Sequence, residues 1–297
     1  MGAGMWRDGF IAVDWGTTNR RAYRIGSGGA CEDEFEDGKG ILSVPKGGFP
    51  GAVAEIRERL GDHPLLMAGM IGSNRGWVEA PYVSCPAGLD ELARGIVRPG
   101  KREAIVPGVS YLGDGRADVM RGEEVQLVGA VAAKLIDPMA LVCHPGTHNK
   151  WALVRQGRID TFQTIMTGEL FNLLKEHSIL ADMLGGTVAA DDAFHRGVQD
   201  GLDNAAVTAE LFSVRARVLL GQSPAAEAAS FTSGLLIGTD VRVGLAHPLA
   251  AQVVVMGRPE LTSLYAAAIR QANRGAIELD GEKCFLAGIT RIAETIE

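Results

Sequence analysis

The segment IAVDWGTTNRRA occupies residues 11–22, and a related segment, LVCHPGTHNKWA, occupies residues 141–152. Glycine, threonine, asparagine, a basic residue and alanine recur at the same spacing, in both cases after three apolar residues. Internal similarity at a single separation indicates a duplicated structural unit. Glycine and asparagine are common in hairpin turns, so a coincidence between two unrelated hairpins is the alternative. The five spaced matches at equivalent places favour the duplication.

The residues around the two segments predict the same order of elements in each half. In the first half, apolar runs and helical spacing predict strands at 10–14, 20–25, 40–44, 64–71 and 103–107, and helices at 52–60, 89–96 and 118–135. In the second half, they predict strands at 140–144, 151–155, 159–165, 252–256 and 276–279, and helices at 168–184, 259–272 and from 283 onward. A helical insertion is expected at about 191–238. Each half is therefore predicted to be an α/β unit of the form βββαβαβα, with lobes at 1–138 and 139–297.

The composition excludes several classes of protein. Of the 297 residues, 46% are hydrophobic and 22% are charged, which is typical of a folded globular chain and not of a disordered one. A net charge of −7 without a basic stripe argues against a nucleic-acid partner. The longest uncharged run, 243–257, has 15 residues and is too short for a membrane helix. We therefore expect a cytoplasmic protein with no nucleic-acid and no membrane partner.

The two Gly-Thr turns are candidate phosphate-binding loops. Gly16 and Gly146 would let main-chain N–H groups approach phosphate oxygens closely, and Thr17 and Thr147 add hydroxyl donors. Asp14 ends the first predicted strand, where its carboxylate could hold Mg²⁺ through water. For either loop alone, an ordinary hairpin with a turn-capping aspartate explains the pattern. The two loops together with Asp14 favour a polyphosphate site.

Asp118 allows two interpretations. At the start of the predicted helix 118–135 it could be an N-cap, which is the commonest role of aspartate at such a position. It could also be a general base, because helix starts at the ends of sheets border ligand crevices in α/β folds. The two roles are compatible.

A second candidate binding region is GMIGSNRGW, residues 69–77, which follows a predicted buried strand. Its serine, asparagine and arginine could bind the hydroxyl groups and a carboxylate of a small polar ligand. A solvated loop with Trp77 packed onto the protein is the alternative.

The two turns resemble the phosphate loops of the sugar kinase, Hsp70 and actin superfamily. A more specific similarity is to the 2-dehydro-3-deoxygalactonokinase family, and it extends from about Phe10 to the C-terminus. The stretches that carry it are GMIGSNRGW (69–77), DVMRGEE (118–124), TGELF (167–171), FTSGLLIG (231–238) and MGRPEL (256–261). Each stretch is short, but their order along the chain is specific.

This resemblance implies two actin-like (ribonuclease H-like) lobes with an ATP cleft between them. It implies transfer of the γ-phosphoryl group of MgATP to the 6-hydroxyl of 2-dehydro-3-deoxy-D-galactonate, with Asp118 as general base and Asp14 holding Mg²⁺ through water. The ATP phosphates are expected at Gly16, Thr17, Thr18, Asn19, Gly146, Thr147 and His148, and adenosine at Gly234 and Gly257. The sugar acid is expected at Lys46, Ser73, Asn74, Arg75, Trp77, Arg121 and Glu169.

Two other functions remain open at this point. The chain could be a kinase for another sugar or sugar acid on the same fold, or a non-catalytic sugar or nucleotide sensor. The partners expected in the first case are ATP and a small sugar acid, and a homodimer is a further possibility. Turnover with MgATP would separate the kinases from the sensor.

Overall fold

The computed structural model describes residues 4–204 and 206–296, which form alternating strands and helices. The strands are β1 (Phe10–Trp15), β2 (Arg20–Ile25), β3 (Cys31–Asp37), β4 (Leu65–Gly69), β5 (Val83–Ser84), β6 (Glu103–Ile105), β7 (Val109–Gly113), β8 (Arg116–Met120), β9 (Met139–His144), β10 (Asn149–Arg155), β11 (Arg158–Ile165), β12 (Gln252–Gly257) and β13 (Gly275–Asp280). The helices are α1 (Phe49–Leu60), α2 (Leu89–Arg94), α3 (Glu123–Ala132), α4 (Thr167–His177), α5 (Asp192–Asp203), α6 (Val207–Leu219), α7 (Ala228–Gly244), α8 (Pro259–Gln271) and α9 (Gly281–Thr295). Within the described residues, no helix has the length and apolar character needed to cross a membrane.

The two large sheets have the same strand order. The first is β3-β2-β1-β4-β6 and the second is β11-β10-β9-β12-β13. In the first, β2 is antiparallel to β1 and β3, whereas β4 is parallel to β1 and β6. In the second, β12 is parallel to β9 and β13. This shared order, in which the first three strands form a meander and later strands add beside the first, confirms the predicted pair of actin-like α/β units.

The first strand of each unit is the centre of its core. The sequence of β1, FIAVDW, is buried except for Asp14, because a strand covered on both faces reads as a nearly continuous apolar run. Val53 and Ile56 of α1 belong to the same apolar cluster as β1. In the second sheet, Leu141 and Cys143 of β9 belong to the corresponding cluster. The Gly-Thr turn of each unit follows its buried first strand.

The chain forms two compact units, and each unit combines segments that are separate in the sequence. Among the described residues, the first unit runs to Met139 and adds Val154–Thr161 and the C-terminal segment from Glu282. The second unit contains Ala140–Leu153 and Phe162–Gly281. The sequence predicts a single boundary between residues 138 and 139. In the structure the units are defined by which segments pack together, and α9, at the end of the chain, packs with the first unit.

The prediction of a third strand at 40–44 is wrong. Ile41–Ser43 form a single 3₁₀ turn, and the third strand is β3, with the sequence CEDEFED. This strand has no apolar periodicity because it is a largely exposed edge strand. It is held by pairing with β2, where Asp37 is opposite Arg20 and accepts from its Nε at 3.0 Å.

The predicted helix start at Asp118 is also wrong, and with it the interpretation of Asp118 as an N-cap. Asp118 lies in β8, opposite Tyr111 of β7, and α3 begins at Glu123. The turn between these strands has φ of +52° at Asp114 and +71° at Gly115, as an Asp-Gly hairpin turn requires. With β5, the hairpin forms a three-stranded sheet that the sequence patterns did not predict.

Candidate active site

Loop 1, residues 16–19, connects β1 and β2 and presents polar side chains to solvent. The N–H of Gly16 donates to the carbonyl of Asn19 at 2.9 Å, and Thr17, Thr18 and Asn19 are exposed. Residues 40–42 donate three main-chain N–H groups to carbonyl groups of loop 1, at 2.8 to 3.2 Å. The segment predicted as a strand thus supports loop 1 and leaves its two threonine side chains exposed.

Loop 2, residues 146–149, connects β9 and β10 and is held by the start of α4. The N–H of Glu169 donates to the carbonyl of Thr147 at 2.9 Å, and His148 Nε2 lies 2.5 Å from Glu169 Oε2. A Cβ at Gly168 would lie 2.5 Å from the carbonyl oxygen of Gly146. Only glycine at 168 allows α4 to begin this close to loop 2, so the loop and the helix start form one assembly.

The fold constrains the glycines at the start of the two loops to different degrees. Among the described residues, no atom lies within 4 Å of a Cβ built at Gly146, and Asn19 O, at 3.2 Å, is the only one near a Cβ built at Gly16. Neither residue has a left-handed φ. A Cβ would therefore fit freely at Gly146, whereas at Gly16 the carbonyl of Asn19 would have to shift slightly. At Gly146, space for a ligand close to the main chain is the remaining physical reason for glycine.

The two asparagines of the repeated motif have different environments. Asn19 is exposed, whereas Asn149 is completely buried. The amide nitrogen of Asn149 donates to both carboxylate oxygens of Asp240, at 2.8 and 2.9 Å. Sequence reasoning missed Asp240, although an aspartate inside the apolar helix α7 is a signal that could have identified it.

Asp14 lies at the edge where two parallel strands end. In the register of β1 and β4, Trp15 is opposite Gly69, so loop 1 and the stretch after β4 leave the sheet together. A Cβ at Gly69 would lie 2.8 Å from Trp15 O and 3.5 Å from Asp14 Oδ1. A Cβ at Gly122 would lie 3.4 Å from the Gly69 Cα. These two glycines, with φ of +91° and +112°, bring the residues before α3 close to the half-buried carboxylate of Asp14.

The stretch after β4 combines buried and exposed polar groups. Ser73 is buried, and its hydroxyl accepts the N–H of Arg75 at 3.2 Å, while Asn74 and the Arg75 side chain are exposed. Trp77 stacks on Phe49, with ring centroids 6.4 Å apart and an interplanar angle of 11°. Trp77 is therefore packed onto the protein, as expected if this stretch is a solvated loop. The side chains of Asn74 and Arg75 are exposed to solvent.

Lys46 is close in sequence to this packed aromatic group. It is exposed in the turn that precedes α1. Phe49, three residues later, contacts Trp15 edge to face at 5.8 Å as well as stacking on Trp77. The beginning of α1 therefore packs between the end of β1 and the stretch after β4.

Arg121 has a buried guanidinium group with unused donors. Its Nη2 donates to the carbonyl of Ala80 at 2.8 Å, and its Cζ lies 4.3 Å from the centroid of the Tyr82 ring. The absence of a side chain at Gly72 leaves room for Nη1. Within the described residues, Nε and Nη1 are buried without a hydrogen-bond partner. Because leaving buried donors unpaired is costly, these nitrogens favour an acceptor supplied by a ligand or water.

Asp118 is three residues before Arg121 and half-buried. Its Oδ1 accepts the N–H of Val119 at 2.8 Å. Its side chain is on the same face of β8 as that of Met120, which is buried. The paired strands β7 and β8, and not a helix start, therefore orient this carboxylate.

The two predicted adenosine residues lie in different surroundings. Gly257 ends β12, and a Cβ there would lie 3.6 Å from the carbonyl of Pro145, which precedes loop 2. Gly234 is buried in α7, where a Cβ would lie 2.1 Å from the carbonyl of Phe194 in α5. The close packing of α7 on α5 thus explains the glycine at 234, whereas Gly257 lies beside loop 2.

Glu124 is a buried carboxyl group that sequence reasoning did not single out. Its Oε2 accepts the N–H of Gly122 at 2.7 Å, and among the described residues Oε1 has no partner. Burial raises the pKa of Glu124 from 4.5 to about 8, and the nearby charge of Glu123 adds to the increase. At neutral pH Glu124 is therefore mainly protonated, beside the turn that approaches Asp14.

The pKa of Glu124 predicts a pH-dependent stability. Between about pH 4.5 and 8 the unfolded chain ionises at this position while the folded chain keeps the proton. The stabilisation is therefore complete below pH 4.5 and is lost as the pH rises through 8, and it amounts to a few kcal/mol, at about 1.4 kcal/mol per pKa unit. Glu124→Gln should remove this dependence, so in thermal melts it should gain on the wild type from pH 5 to 8. Glu79→Gln, at an exposed position, is the control, and equal pH profiles for all three proteins would contradict the expectation.

No group of three or more His, Cys, Asp or Glu side chains is arranged to hold a metal ion in the part of the chain that the structure describes. A bound MgATP does not need such a group, because Mg²⁺ is usually held by one or two carboxylates together with phosphate oxygens and water. The position of Asp14 at the end of β1, next to loop 1, fits this requirement.

Comparisons with known proteins show similarity over nearly the whole chain. The chain matches the family model for 2-keto-3-deoxy-galactonokinase over residues 14–292. A 2-dehydro-3-deoxygalactonokinase from Escherichia coli (strain K12) is 38% identical over 293 residues, covering 97% of this chain and 98% of the relative. A relative from Rhizobium meliloti (strain 1021), named for the same activity, is 36% identical over 299 residues and 97% of each chain.

A solved structure gives the same result at the level of the fold. The crystal structure of a Sinorhizobium meliloti protein, also named for this activity, matches with a TM-score of 0.90 and 35% identity, covering 97% of this chain and 99% of that chain. The duplicated sheets, the two Gly-Thr loops and a family match over nearly the whole length lead to one conclusion. The chain belongs to the 2-keto-3-deoxy-galactonokinase family and is a kinase that contains two actin-like α/β units.

Proposed function

We propose that this kinase transfers the γ-phosphoryl group of ATP to the 6-hydroxyl of 2-dehydro-3-deoxy-D-galactonate. Membership of the family supports the sugar acid as substrate, because relatives that span the same length are named for it. The observation that carries the phosphoryl-transfer part is the open space at Gly146, where the fold itself does not require glycine.

In this proposal, loop 1 and loop 2 bind the phosphates of ATP. Main-chain N–H groups and the hydroxyl groups of Thr17, Thr18 and Thr147 donate to phosphate oxygens. His148 is the further side chain of loop 2 that we assign to the phosphates, and Gly257, beside Pro145, flanks the adenosine. Phosphoryl transfer depends mainly on positioning and on stabilisation of charge, which anchored loops of this kind provide.

We assign Asp14 to the magnesium ion that accompanies ATP. Its carboxylate lies one residue before the end of β1, and Mg²⁺ prefers oxygen ligands and retains several waters. The ion would neutralise developing charge on the transferred group. The role of Asp14 is to hold the ion through water next to loop 1.

We assign Asp118 as the general base that accepts the proton of the substrate hydroxyl. A carboxylate is suited to this role because a hydroxyl is a poor nucleophile until its proton is removed. The position of Asp118 on a hairpin strand supports the assignment, since rigid elements orient catalytic groups better than mobile loops do.

The carboxylate of the sugar acid requires a cation, and Arg75 and Arg121 are the candidates. Arg75 is exposed after β4, close in sequence to Ser73 and Asn74, which we assign to substrate hydroxyl groups. Arg121 has two buried nitrogens without a partner among the described residues. A guanidinium group binds a carboxylate through two parallel hydrogen bonds, which suits either residue.

Replacing Arg75 with alanine should raise KM for the sugar acid by about tenfold or more, since hydrogen bonds to charged groups are worth roughly 1.5–3 kcal/mol. KM for ATP should change little, because ATP does not carry this carboxylate. Steady-state kinetics with each substrate varied in turn would measure both values. Arg94→Ala is the control, because Arg94 is exposed on α2 and pairs only weakly with Glu91, at 3.6 Å. An equal rise in both KM values would contradict the assignment.

A panel of sugars and sugar acids with MgATP, scored by release of ADP, tests the function as a whole. We expect the highest kcat/KM with 2-dehydro-3-deoxy-D-galactonate, and phosphorus NMR should show a phosphomonoester on its terminal carbon. A higher kcat/KM with another sugar acid would reassign the substrate while retaining the kinase. Binding of sugar acid and nucleotide without turnover on any member would instead support a sensor.

A further inference from the structure

The carboxylate of Asp240 is buried in the second unit and accepts hydrogen bonds from four side chains. It is 1% exposed. Oδ1 accepts from Trp151 Nε1 at 2.6 Å and from Asn149 Nδ2 at 2.8 Å. Oδ2 accepts from Asn149 Nδ2 at 2.9 Å, from the Tyr265 hydroxyl at 2.8 Å and from the Thr167 hydroxyl. The four donors come from three different parts of the unit: β10, α4 and α8.

Two of these donors belong to the residues that surround loop 2. Asn149 is the last residue of the loop, and Thr167 is the first residue of α4. The two residues after Thr167 contact the loop directly, through the close approach of Gly168 to Gly146 and the hydrogen bond of Glu169 to Thr147. One carboxylate therefore connects the end of loop 2 with the helix start that packs against it.

A carboxylate at this position is costly for the fold alone. The four donors are neutral, and a buried carboxylate that lacks a charged partner depends on hydrogen bonds to offset the loss of hydration. Burial raises the pKa of Asp240, while the hydrogen bonds from Thr167 and Trp151 act in the opposite direction. Replacing a buried charge with apolar side chains of similar size often leaves a protein equally stable. The buried carboxylate of Asp240 is therefore better explained by the positions that it imposes on its four hydrogen-bond donors.

We propose that Asp240 is a positioning residue for the phosphate-binding main chain of loop 2. It holds Asn149 and Thr167 in fixed positions, and this sets the spacing between loop 2 and the start of α4. The inference rests on the proposed function, in which loop 2 binds ATP phosphates. It adds a residue of α7 that does not contact the nucleotide and acts only through the loop.

The structure offers a matched pair of variants to test this role. Thr167→Val and Tyr265→Phe each remove one hydroxyl donor from the same atom, Oδ2 of Asp240, with little change in shape. Thr167 is next to residues that contact loop 2, whereas Tyr265 lies in α8, where its hydroxyl contacts Asp240 and Thr167 but no residue of loop 2 in the described hydrogen bonds. The full-length proteins would be compared in amide hydrogen exchange of the peptide that contains residues 146–149, in MgATP affinity by calorimetry, and in melting temperature.

Thr167→Val should speed exchange in loop 2 and weaken MgATP binding, each by about tenfold, which corresponds to one hydrogen bond to a charged group. Tyr265→Phe should change both values by less than about twofold at a similar loss of melting temperature. Equal effects of the two variants on loop exchange would overturn the positioning role and leave Asp240 a structural residue. A further outcome is that the protein binds no MgATP while loop exchange is faster in Thr167→Val and unchanged in Tyr265→Phe. That outcome would support the positioning role and refute the proposed function.

Discussion

Asp118→Asn should lower kcat by about 10²-fold or more and leave the melting temperature nearly unchanged. Removal of a general base typically costs about 10²–10⁴ in rate, because the hydroxyl must then lose its proton without help. Asparagine keeps an oxygen that can accept the N–H of Val119, so the hairpin should retain its local hydrogen bond. Pre-steady-state and steady-state kinetics with saturating MgATP and sugar acid would measure the loss, and calorimetry would report stability.

Asp114→Asn is the matched control for this prediction. Asp114 is in the same hairpin, four residues earlier, where its carboxylate accepts the Tyr111 hydroxyl at 2.8 Å. Its φ of +52° is one that asparagine also tolerates, so this variant should fold and remain active. An inactive Asp114→Asn protein together with an active Asp118→Asn protein would show that the base is wrongly assigned.

Gly146→Val should abolish measurable MgATP binding while the protein stays folded. A Cβ at this position meets no atom of the described residues within 4 Å, and the residue has no left-handed φ, so we expect the fold to accept valine. The same side chain would occupy the space through which a phosphate approaches the main chain. Calorimetric titration with MgATP would measure binding, and melting curves would establish that the variant is folded.

Gly185→Val provides the control in the same unit. Gly185 is exposed, and it too has no atom of the described residues within 4 Å of a built Cβ. This variant should bind MgATP as the wild type does, because Gly185 is not part of the Gly-Thr turn and a Cβ there contacts no atom of the turn. Unchanged affinity in Gly146→Val would mean that loop 2 does not bind phosphate, and the proposed nucleotide site would have to be abandoned.

The two Gly-Thr loops and their strands could be predicted because they depend on neighbouring residues. An apolar run such as residues 10–13 predicts a buried strand, and a glycine followed by polar residues predicts its turn. The Asp-Gly pair at 114 and 115 is an equally local signal for a hairpin. The turn signal does not show that a strand follows it, and the apolar spacing further along the chain extends the predicted helix back to Asp118.

Local sequence by itself determined the duplicated α/β units, the positions of loop 1 and loop 2, and the family to which the chain belongs. The tertiary structure alone decided that β3 is a strand, because its acidic sequence is held by pairing with β2 and not by burial of its own side chains. It also decided that Asn149 faces a buried carboxylate, although Asn19 at the same place in the repeat is exposed. The partner of Asn149, Asp240, is 91 residues away, and only the packing of α7 against β10 brings the two together. A contact between residues so far apart in the sequence leaves no periodic pattern in the chain. It can therefore be recognised only in the folded structure.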